Sequence, residues 1–260
     1  MEEIIRAEKI STGYRKGKEC IFIHKELDFQ LIKGQFISLI GHNGSGKSTL
    51  FKSISNILPL LSGNIFLKNK VLNEYSRMQL AQLLSIVVTD KIVNPNLKVR
   101  EVVESGRYPY ISRIGKLRKS DQIILEESIY DVGMMGFEDR KINTLSDGEL
   151  QRVLIARALC QKTEIILLDE PSSHLDLEGK FSIMKLLNEI SRKEEKTILL
   201  STHDIDLALQ TTDTLWLLDK ERNLITGSPK DLVDSDILSK IFDNENFHFD
   251  KSIGKFIATK

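Results

Sequence analysis

Hydrophobic residues along the chain follow two patterns, and each predicts a different kind of strand. Leu27, Phe29 and Leu31 alternate with polar residues, which is typical of a strand with one buried face. Strands buried on both faces of a parallel sheet appear instead as continuous apolar runs. Three such runs occur later, at residues 165–168, 197–200 and 214–218. Because helical stretches separate these runs, we predict an α/β core.

The segment from about residue 90 to 144 has a different texture, because its apolar residues recur mostly at helical spacing. These residues are Val99, Val102 and Val103, followed by Ile123, Ile124, Ile129 and Val132. We therefore predict a helical insertion in the α/β core. A later helix is predicted to begin at Ser228 and Pro229, a favourable N-cap and first helical residue. The chain then ends in a β-like stretch.

Composition excludes several classes of protein. The 260 residues contain 37 Lys plus Arg and 37 Asp plus Glu, and this balance argues against non-specific binding to nucleic acid. Two isolated cysteines, Cys20 and Cys160, support neither a disulfide framework nor a zinc site and indicate a reducing compartment. The charged N-terminus does not have the pattern of a signal peptide, and no apolar run of about 18 residues is present.

The segment GHNGSGKST lies between a strand predicted at 35–40 and a helix predicted at 47–56, and it matches the phosphate-loop pattern G-x-x-x-x-G-K-[ST]. Its glycines allow the backbone to fold around an anion, and the helix N-terminus adds partial positive charge. Lys47 is expected to reach the outer phosphates and Ser48 to ligate Mg²⁺. A merely flexible loop is the alternative. The predicted nucleotide-binding residues are Gly41, His42, Asn43, Gly44, Ser45, Gly46, Lys47, Ser48 and Thr49.

Two adjacent carboxylates, Asp169 and Glu170, end the apolar run at 165–168. Successive residues of a strand point to opposite faces, so we expect the two side chains to have different roles. Asp169 is predicted to hold Mg²⁺, and Glu170 to polarise the attacking water as a general base. Many strands end in exposed acids, and this interpretation therefore depends on the phosphate loop.

The segment LSDGE, residues 145–149, has the sequence of a helix start. Ser146 and Glu149 are spaced as a capping box. Gly148 lies in the first turn, where alanine would stabilise the helix by up to about 1 kcal/mol. A bare backbone at the positive end of a helix suits an anion. A capping box needs no ligand, however, so a purely structural helix start is the alternative.

These motifs, in this order, resemble the ATP-binding subunits of ABC transporters, and the resemblance covers nearly the whole chain. It implies a P-loop NTPase core, with a mixed, largely parallel sheet flanked by helices. An N-terminal antiparallel β subdomain and an inserted α-helical subdomain are also implied. The expected layout is one ABC ATPase domain over 1–260, with the core and β subdomain at 1–89 and 151–220, the helical subdomain at 90–150, and a C-terminal extension at 221–260.

The resemblance also implies the ligands and the oligomeric state. ATP with Mg²⁺ binds at two sites shared by a head-to-tail homodimer, and Ser146, Gly148 and Glu149 of one subunit contact the nucleotide held by the other. Asp147 stands where the family usually has glycine, but LSDGE resembles the wording found in iron-chelate importers. The other implied site residues are Glu170, His203 and Lys47 for catalysis, Tyr14 for stacking on adenine and Asp176 for communication across the dimer.

One position departs from the family pattern. Thr89 stands where a glutamine normally contacts Mg²⁺, and we predict that Thr89 retains part of this metal contact.

Residues 106–110, GRYPY, lie in the predicted helical lobe, which faces the permease in this family. Their wording resembles importers of iron–siderophores, haem or vitamin B12. Such a motor works with transmembrane permease subunits and, through them, an extracytoplasmic substrate-binding protein, at the cytoplasmic face of the membrane. Structurally, the same stretch could simply end a helix.

Three rival interpretations share some of these motifs. A soluble ABC-type ATPase without a permease, for example in iron–sulfur cluster assembly, stays open as the alternative function. A DNA-repair ATPase would need a long coiled coil between Ser48 and Leu145, and none fits there. Glu170 and His203 argue against a module that binds nucleotide without hydrolysing it.

Overall fold

A computed structural model of the chain describes residues 2–88, 94–111 and 117–259. The strands within these ranges are β1 (Glu3–Lys16), β2 (Glu19–Ile32), β3 (Phe36–Gly41), β4 (Ser62–Leu67), β5 (Lys70–Val71), β6 (Leu84–Val87), β7 (Ile165–Leu168), β8 (Thr197–Thr202), β9 (Thr214–Leu218), β10 (Leu224–Gly227), β11 (Phe247–Asp250) and β12 (Lys255–Ala258). The α-helices are α1 (Lys47–Ile54), α2 (Arg77–Ala81), α3 (Val99–Glu104), α4 (Lys119–Asp131), α5 (Asp147–Cys160), α6 (Leu177–Glu194), α7 (Ile205–Thr211), α8 (Pro229–Asp234) and α9 (Ile237–Phe242).

The chain divides into two compact units. The first contains residues 1–72 and 199–260, and the second contains residues 73–198. Among the described residues, no helix combines the length and the apolar character needed to cross a membrane.

The first unit contains the antiparallel sheet that the family resemblance implies, with strand order β2-β1-β4-β5. β2 is longer than the alternation at Leu27–Leu31 predicted, because it begins at Glu19. The sequence pattern misses this first half, since most residues of the β1–β2 hairpin from 15 to 22 are exposed on both faces. Two bulky apolar residues there, Ile21 and Phe22, are also exposed.

The first unit also contains a mixed sheet, in which β10-β9-β3-β8 lie side by side. β3 pairs with β9 in parallel and β10 pairs with β9 in antiparallel. All six residues of β3 and of β8 are buried, as expected for strands covered on both faces. The apolar run predicted at 214–218 forms β9 with the same bounds, and the strand predicted at 35–40 is shifted by one residue.

The C-terminal segment packs onto this mixed sheet. α8 begins as predicted, with Ser228 as the N-cap and Pro229 as the first helical residue. β11 and β12 form the hairpin behind the β-like end of the sequence. Side chains from α8, α9 and β11 enter one core with residues of β3, α7 and β9, and this core contains Ile40, Ala208, Leu215, Leu217, Leu232, Leu238, Ile241, Phe242 and Phe249.

The second unit combines the parallel pair β6–β7 with α2 to α6. All four residues of β7 are buried, which confirms the continuous run at 165–168 as an interior strand. The helical spacing of the insertion is confirmed at Val99, Val102 and Val103, which α3 buries. It fails at Ile123, whose side chain is 58% exposed.

The reason for this failure is a buried ion pair. α4 buries Asp121, Leu125, Ser128 and Ile129, so its inner face begins with a carboxylate. The Asp121 carboxylate accepts a hydrogen bond of 2.9 Å from Arg107 Nε, and both side chains are almost fully buried. Buried charges are tolerated when they are paired. The orientation of α4 therefore brings Asp121 inward and leaves Ile123 outside.

Arg107 belongs to GRYPY, and the structure gives that stretch a packing function. Residues Ser105–Tyr110 form a 3₁₀ turn directly after α3. Arg107 Nη1 donates to the Cys160 carbonyl at 2.8 Å, and its guanidinium lies 4.0 Å from the centre of the Tyr110 ring. A Cβ at Gly106 would lie 2.3 Å from the carbonyl oxygen of Arg157, so only glycine fits there.

Candidate nucleotide-binding site

The phosphate loop, residues 41–49, connects β3 to α1 in the first unit as the sequence predicts. Gly44 and Gly46 have φ angles of +78° and +98°, a region that glycine adopts without strain. A Cβ at Gly46 would lie 2.4 Å from Ile23 Cγ2 and 2.6 Å from His24 Cε1. Gly46 is the N-cap of α1 and offers no side-chain cap. The N-terminus of α1 is therefore of the kind that binds anions through backbone N–H groups.

Lys47 folds back over this loop. Its side chain is buried, and Nζ donates to the Gly41 carbonyl at 2.9 Å and to the His42 carbonyl at 3.4 Å. A buried ammonium needs such partners, and a phosphate would provide stronger ones. The charge is thus already held at the loop that it is predicted to serve.

The other loop residues fall into buried and exposed sets. Ser45 is buried, and its Oγ has no hydrogen-bond partner within the described ranges. Asn43, Gly44 and Ser48 are exposed. The side chain of His42 points to the C-terminal segment instead, where Nε2 donates to the Ile241 carbonyl at 3.2 Å.

Tyr14 lies close to the phosphate loop, although 35 residues separate it from Thr49. The hydroxyl groups of Tyr14 and Thr49 are 3.3 Å apart, and the Tyr14 side chain is 44% exposed. A ring anchored at its hydroxyl end and open to solvent elsewhere suits stacking on a base. The structure therefore brings this predicted residue and the phosphate loop together.

Sequence reasoning missed His24. Its Nε2 lies 3.0 Å from the Ser45 carbonyl oxygen, and its Nδ1 lies 2.7 Å from Thr12 Oγ1. Burial lowers the pKa of His24 to about 4, against the opposing effect of the Ser45 hydrogen bond, and the positive charge of Arg222 lowers it further. The ring is consequently neutral near pH 7.

A β-bulge explains why strand alternation does not reveal His24. In the β1–β2 ladder Ile10 pairs with Leu27 and Thr12 with His24, so three steps along β2 match two along β1. The extra residue lies at Lys25–Glu26, where Glu26 has a φ of +51°. A bulge of this kind reverses the inside–outside order of the residues beyond it. His24 is therefore buried, whereas simple alternation with Leu27 would place it outside.

In the second unit, Asp169 and Glu170 follow β7 directly. The Asp169 N–H still donates to the Val87 carbonyl at 2.9 Å, which extends the β6–β7 ladder by one residue. Glu170 leaves the ladder, with a φ of +51°. The argument from strand alternation was therefore wrong for Glu170, because this residue does not lie in a strand.

The predicted capping box at the start of α5 is confirmed. Ser146 Oγ accepts from the Glu149 N–H at 3.3 Å, and Glu149 Oε2 accepts from the Ser146 N–H at 2.8 Å. The hydrogen bond from the Ser146 backbone is the main reason that the pKa of Glu149 lies below its ordinary range, and Arg140 contributes. A Cβ at Gly148 would meet only Leu175 Cδ2, at 3.9 Å. Packing within the described chain therefore does not require glycine there.

The remaining predicted residues lie at element ends. His203 is exposed and follows β8, and Asp176 is exposed and caps α6 through a 2.8 Å hydrogen bond from the Gly179 N–H. Thr89 lies outside the described residues, and its metal contact stays a prediction. No cluster of three or more His, Cys, Asp or Glu side chains within the described ranges could hold a metal ion.

Comparison with known proteins decides the family. The family model for the ABC transporter matches residues 24–173, more than half of the chain. This chain belongs to the ABC transporter family. This chain, called the cassette below, is 33% identical over 238 residues to the iron(3+)-hydroxamate import ATP-binding protein FhuC of Bacillus subtilis. The match covers 92% of this chain and 87% of the relative. It is 31% identical over 242 residues to the petrobactin import ATP-binding protein FpuD of Bacillus anthracis, with 93% and 87% covered.

Solved structures agree with this assignment. The cassette superimposes with a TM-score of 0.79 and 25% identity on a chain of an inward-facing transporter assigned to the metal-chelate type, covering 92% of the cassette and 89% of that chain. A dimeric bacterial ABC transporter cassette gives a TM-score of 0.75 at 27% identity, with 87% and 99% covered. Another structure of that dimeric bacterial cassette, in a post-hydrolysis state with ADP and phosphate bound, superimposes on this chain with a TM-score of 0.74. The α/β P-loop fold is thus confirmed, and the cassette is an ATPase.

Proposed function

We propose that the cassette is the ATP-hydrolysing subunit of an importer that takes up an iron chelate through a separate membrane permease. The observation that carries this proposal is the similarity, over more than nine-tenths of the cassette, to ATP-binding proteins named for hydroxamate and petrobactin import. Haem and vitamin B12, which the GRYPY wording left open, are alternative cargoes. The named relatives favour a siderophore.

The phosphate loop binds the triphosphate of ATP in this proposal. The uncapped N–H groups at the start of α1 meet phosphate oxygens, and Lys47 exchanges the Gly41 and His42 carbonyls for phosphate. Tyr14 stacks on the adenine with its exposed face. Each of these roles uses a group that the first unit already holds near the loop.

Magnesium accompanies the nucleotide, and the donor chemistry fits it. Mg²⁺ prefers oxygen ligands and usually binds through one or two protein groups plus substrate phosphates. Ser48, with an exposed hydroxyl at the start of α1, and Asp169, at the end of β7, are the proposed protein ligands, joined by Thr89. When bound, Mg²⁺ neutralises charge on the phosphates.

Hydrolysis is assigned to two residues besides Lys47. Glu170 acts as the general base that accepts a proton from the attacking water, and His203 steadies the γ-phosphate by donating a hydrogen bond. Glu170 lies just after β7, next to the proposed metal ligand Asp169, which supports this assignment.

A second copy of the cassette completes each site. Gly148 has no packing reason to be glycine within the described chain, and it follows a capping residue at a helix N-terminus. We assign Ser146, Gly148 and Glu149 to the γ-phosphate of the ATP bound by the partner subunit. Glu149 acts mainly by holding Ser146 in place, because its carboxylate is engaged by the cap. Asp176, at the start of α6, links the two copies.

The helical lobe, residues 90–150, receives the permease. A cavity of about 430 Å³ opens on the second unit, and its lining includes Glu101, Glu104 and Arg157 together with Tyr108, which is 66% exposed. A permease segment that carries both charge signs and an apolar side chain would complement this surface. GRYPY contributes Tyr108 to the surface while Arg107 anchors the turn from inside.

Co-purification tests the importer directly. The tagged cassette is expressed in its native host, the membranes are solubilised gently, and proteins bound to the cassette are identified. We expect a polytopic membrane protein, lost from Glu104→Lys and retained by Glu245→Lys, an equal charge change at an exposed residue that does not line the cavity. Recovery of soluble cluster-assembly proteins alone would favour the soluble ATPase instead.

A further inference from the structure

His24 and Thr12 form a hydrogen-bonded chain that ends on the phosphate loop. On one side of the ring, His24 Nδ1 lies 2.7 Å from Thr12 Oγ1. On the other side, His24 Nε2 lies 3.0 Å from the Ser45 carbonyl oxygen. Thr12 and His24 are buried almost completely, and Ser45 is buried as well. The catalytic assignments above use neither Thr12 nor His24.

The chemistry of the chain fixes the direction of each hydrogen bond. A carbonyl oxygen only accepts, so His24 Nε2 carries the proton and donates to Ser45. The lowered pKa of His24 keeps the ring neutral, which leaves Nδ1 as an acceptor. The Thr12 hydroxyl, which rotates freely, must then donate to Nδ1. The Ser45 carbonyl thus sets the tautomer, and the hydrogen bond from Thr12 holds the ring in the orientation that places the proton toward the loop.

The Ser45 carbonyl belongs to the peptide bond that ends at Gly46. A trans peptide is planar, and its C=O and N–H groups point in opposite directions. Holding the Ser45 carbonyl toward His24 therefore turns the Gly46 N–H away from β2. Gly46 is the N-cap of α1, so its N–H lies at the helix N-terminus, where backbone N–H groups bind anions.

Close packing makes this arrangement specific. A Cβ at Gly46 would lie 2.6 Å from His24 Cε1, so the imidazole rests directly against the loop backbone. An apolar residue at position 24 would fill the space but would leave the Ser45 carbonyl without its donor. The β-bulge in β2 is what brings the ring to this place.

We propose that His24 is a positioning residue for the phosphate loop, which, with its ring held by Thr12, fixes the Ser45 carbonyl and so aims the Gly46 N–H at the phosphate. This inference rests on the proposed phosphate-binding role of the loop. It adds a residue pair that acts on ATP through the backbone, without contact with the nucleotide.

Three substitutions of His24, which differ in the position or the presence of an N–H donor, test this role. His24→Gln places an amide N–H near the position of Nε2, His24→Asn carries the same amide at the position of Nδ1, and His24→Leu has no donor. We expect the Leu and Asn variants to raise the KM for ATP about tenfold, as one hydrogen bond to a charged ligand becomes misaligned. The Gln variant should stay within about twofold of the wild type. All assays run well below the melting temperature of each variant.

A merely structural histidine would give a different outcome. His24→Leu would then lower the melting temperature and leave the KM unchanged, and Gln and Asn would behave alike. Either result would overturn the proposal. Should the His24 variants fail to fold, Thr12→Val with Thr12→Ser as its control applies the same test, because only Val removes the hydroxyl that holds the ring at Nδ1.

Nitrogen NMR provides a readout that is independent of activity. In cassette labelled with ¹⁵N-histidine, the ring of His24 should show a protonated Nε2 and an unprotonated Nδ1 at pH 7, and Thr12→Val should shift the Nδ1 signal. A ring protonated at Nδ1 would overturn the inference alone. Wild-type cassette that binds no ATP would overturn the proposed function and this inference together.

Discussion

Gly148, in the first turn of α5, is a position where stability and ATP hydrolysis are expected to favour different residues. A Cβ there would make only ordinary contact with Leu175, so Gly148→Ala should raise the free energy of unfolding by up to about 1 kcal/mol. The methyl group would also stand in front of the N–H groups that we assign to the partner's ATP. We therefore expect steady-state ATP hydrolysis to fall at least about tenfold, the loss typical of a misplaced phosphate contact.

The matched control is Ser120→Ala, an exposed change in the first turn of α4. It should stabilise slightly and leave hydrolysis unchanged. Denaturant unfolding and ATPase assays on both variants decide the matter. A Gly148→Ala cassette with full ATPase activity would show that hydrolysis does not require glycine at this position. The main support for the shared site would then be lost.

His24 gives the stability of the cassette a dependence on pH. Burial, opposed by the Ser45 hydrogen bond and assisted by Arg222, lowers its pKa from 6.5 to about 4. Below pH 6.5 the unfolded chain therefore binds a proton that the folded chain resists, and stability falls as the pH drops toward 4. The maximum loss from this one group is about 3 kcal/mol.

Urea unfolding at pH 7, 5.5 and 4.5 measures this effect, with His24→Gln as the reference that lacks the titration. The wild type should lose more stability than the variant across this interval, and most of the difference should appear below pH 6. Parallel curves for the two proteins would contradict the lowered pKa.

At the scale of elements, α4 shows how a buried charge orients a helix. Burial alone would raise the pKa of Asp121, but hydrogen bonds from the Arg118 N–H and from Arg107 hold it below its ordinary range. Arg107→Met removes the partner and leaves a buried carboxylate, so we expect a loss of about 3–5 kcal/mol in the free energy of unfolding.

A double-mutant cycle checks that pairing is the cause. Arg107→Met with Asp121→Leu replaces the ion pair by apolar side chains, and it should recover a substantial part of the stability that Arg107→Met loses. Additive losses in denaturant unfolding would instead indicate that the contacts of Arg107 with Cys160 and Tyr110 dominate.

The sequence could predict elements whose cause is local. β7 and β9 are continuous apolar runs, the capping box of α5 is a spacing of three residues, and the phosphate loop carries its own glycines. Ile123 and His24 could not be placed in this way. The orientation of α4 depends on Arg107, 14 residues away, and the burial of His24 depends on a bulge in the ladder with β1.

The features of the candidate site also divide into those that local sequence predicts and those that depend on tertiary contacts. Residue types and spacing predict roles for Lys47, Asp169 and Glu170, because each lies within a few residues of a recognisable strand or loop. The left-handed backbone of Glu170, the contact between Tyr14 and Thr49, and the bond from His42 to the C-terminal segment are tertiary facts. No local pattern encodes them.

At the scale of the whole molecule, the C-terminal segment is part of the fold of the first unit. Phe242 and Phe249 share a core with Ile40 of β3, the strand that leads into the phosphate loop. The Phe242 ring also lies 5.4 Å from the ring of His42. This packing gives the segment beyond β10 a structural role in the first unit.

The shared site is tested by trapping it. Glu170→Gln keeps the shape of the side chain but removes the proposed base, so ATP should bind and persist. We expect the 29.6 kDa cassette to elute at about twice its mass with ATP and Mg²⁺, and at its own mass with ADP. Light scattering after gel filtration gives the mass directly.

Adding Gly148→Ala to the same chain should abolish the dimer while retaining ATP binding, because each loop still holds its own nucleotide. A Glu170→Gln cassette that stays monomeric at saturating ATP would rule out the head-to-tail arrangement, whereas a dimer insensitive to Gly148→Ala would place the interface elsewhere.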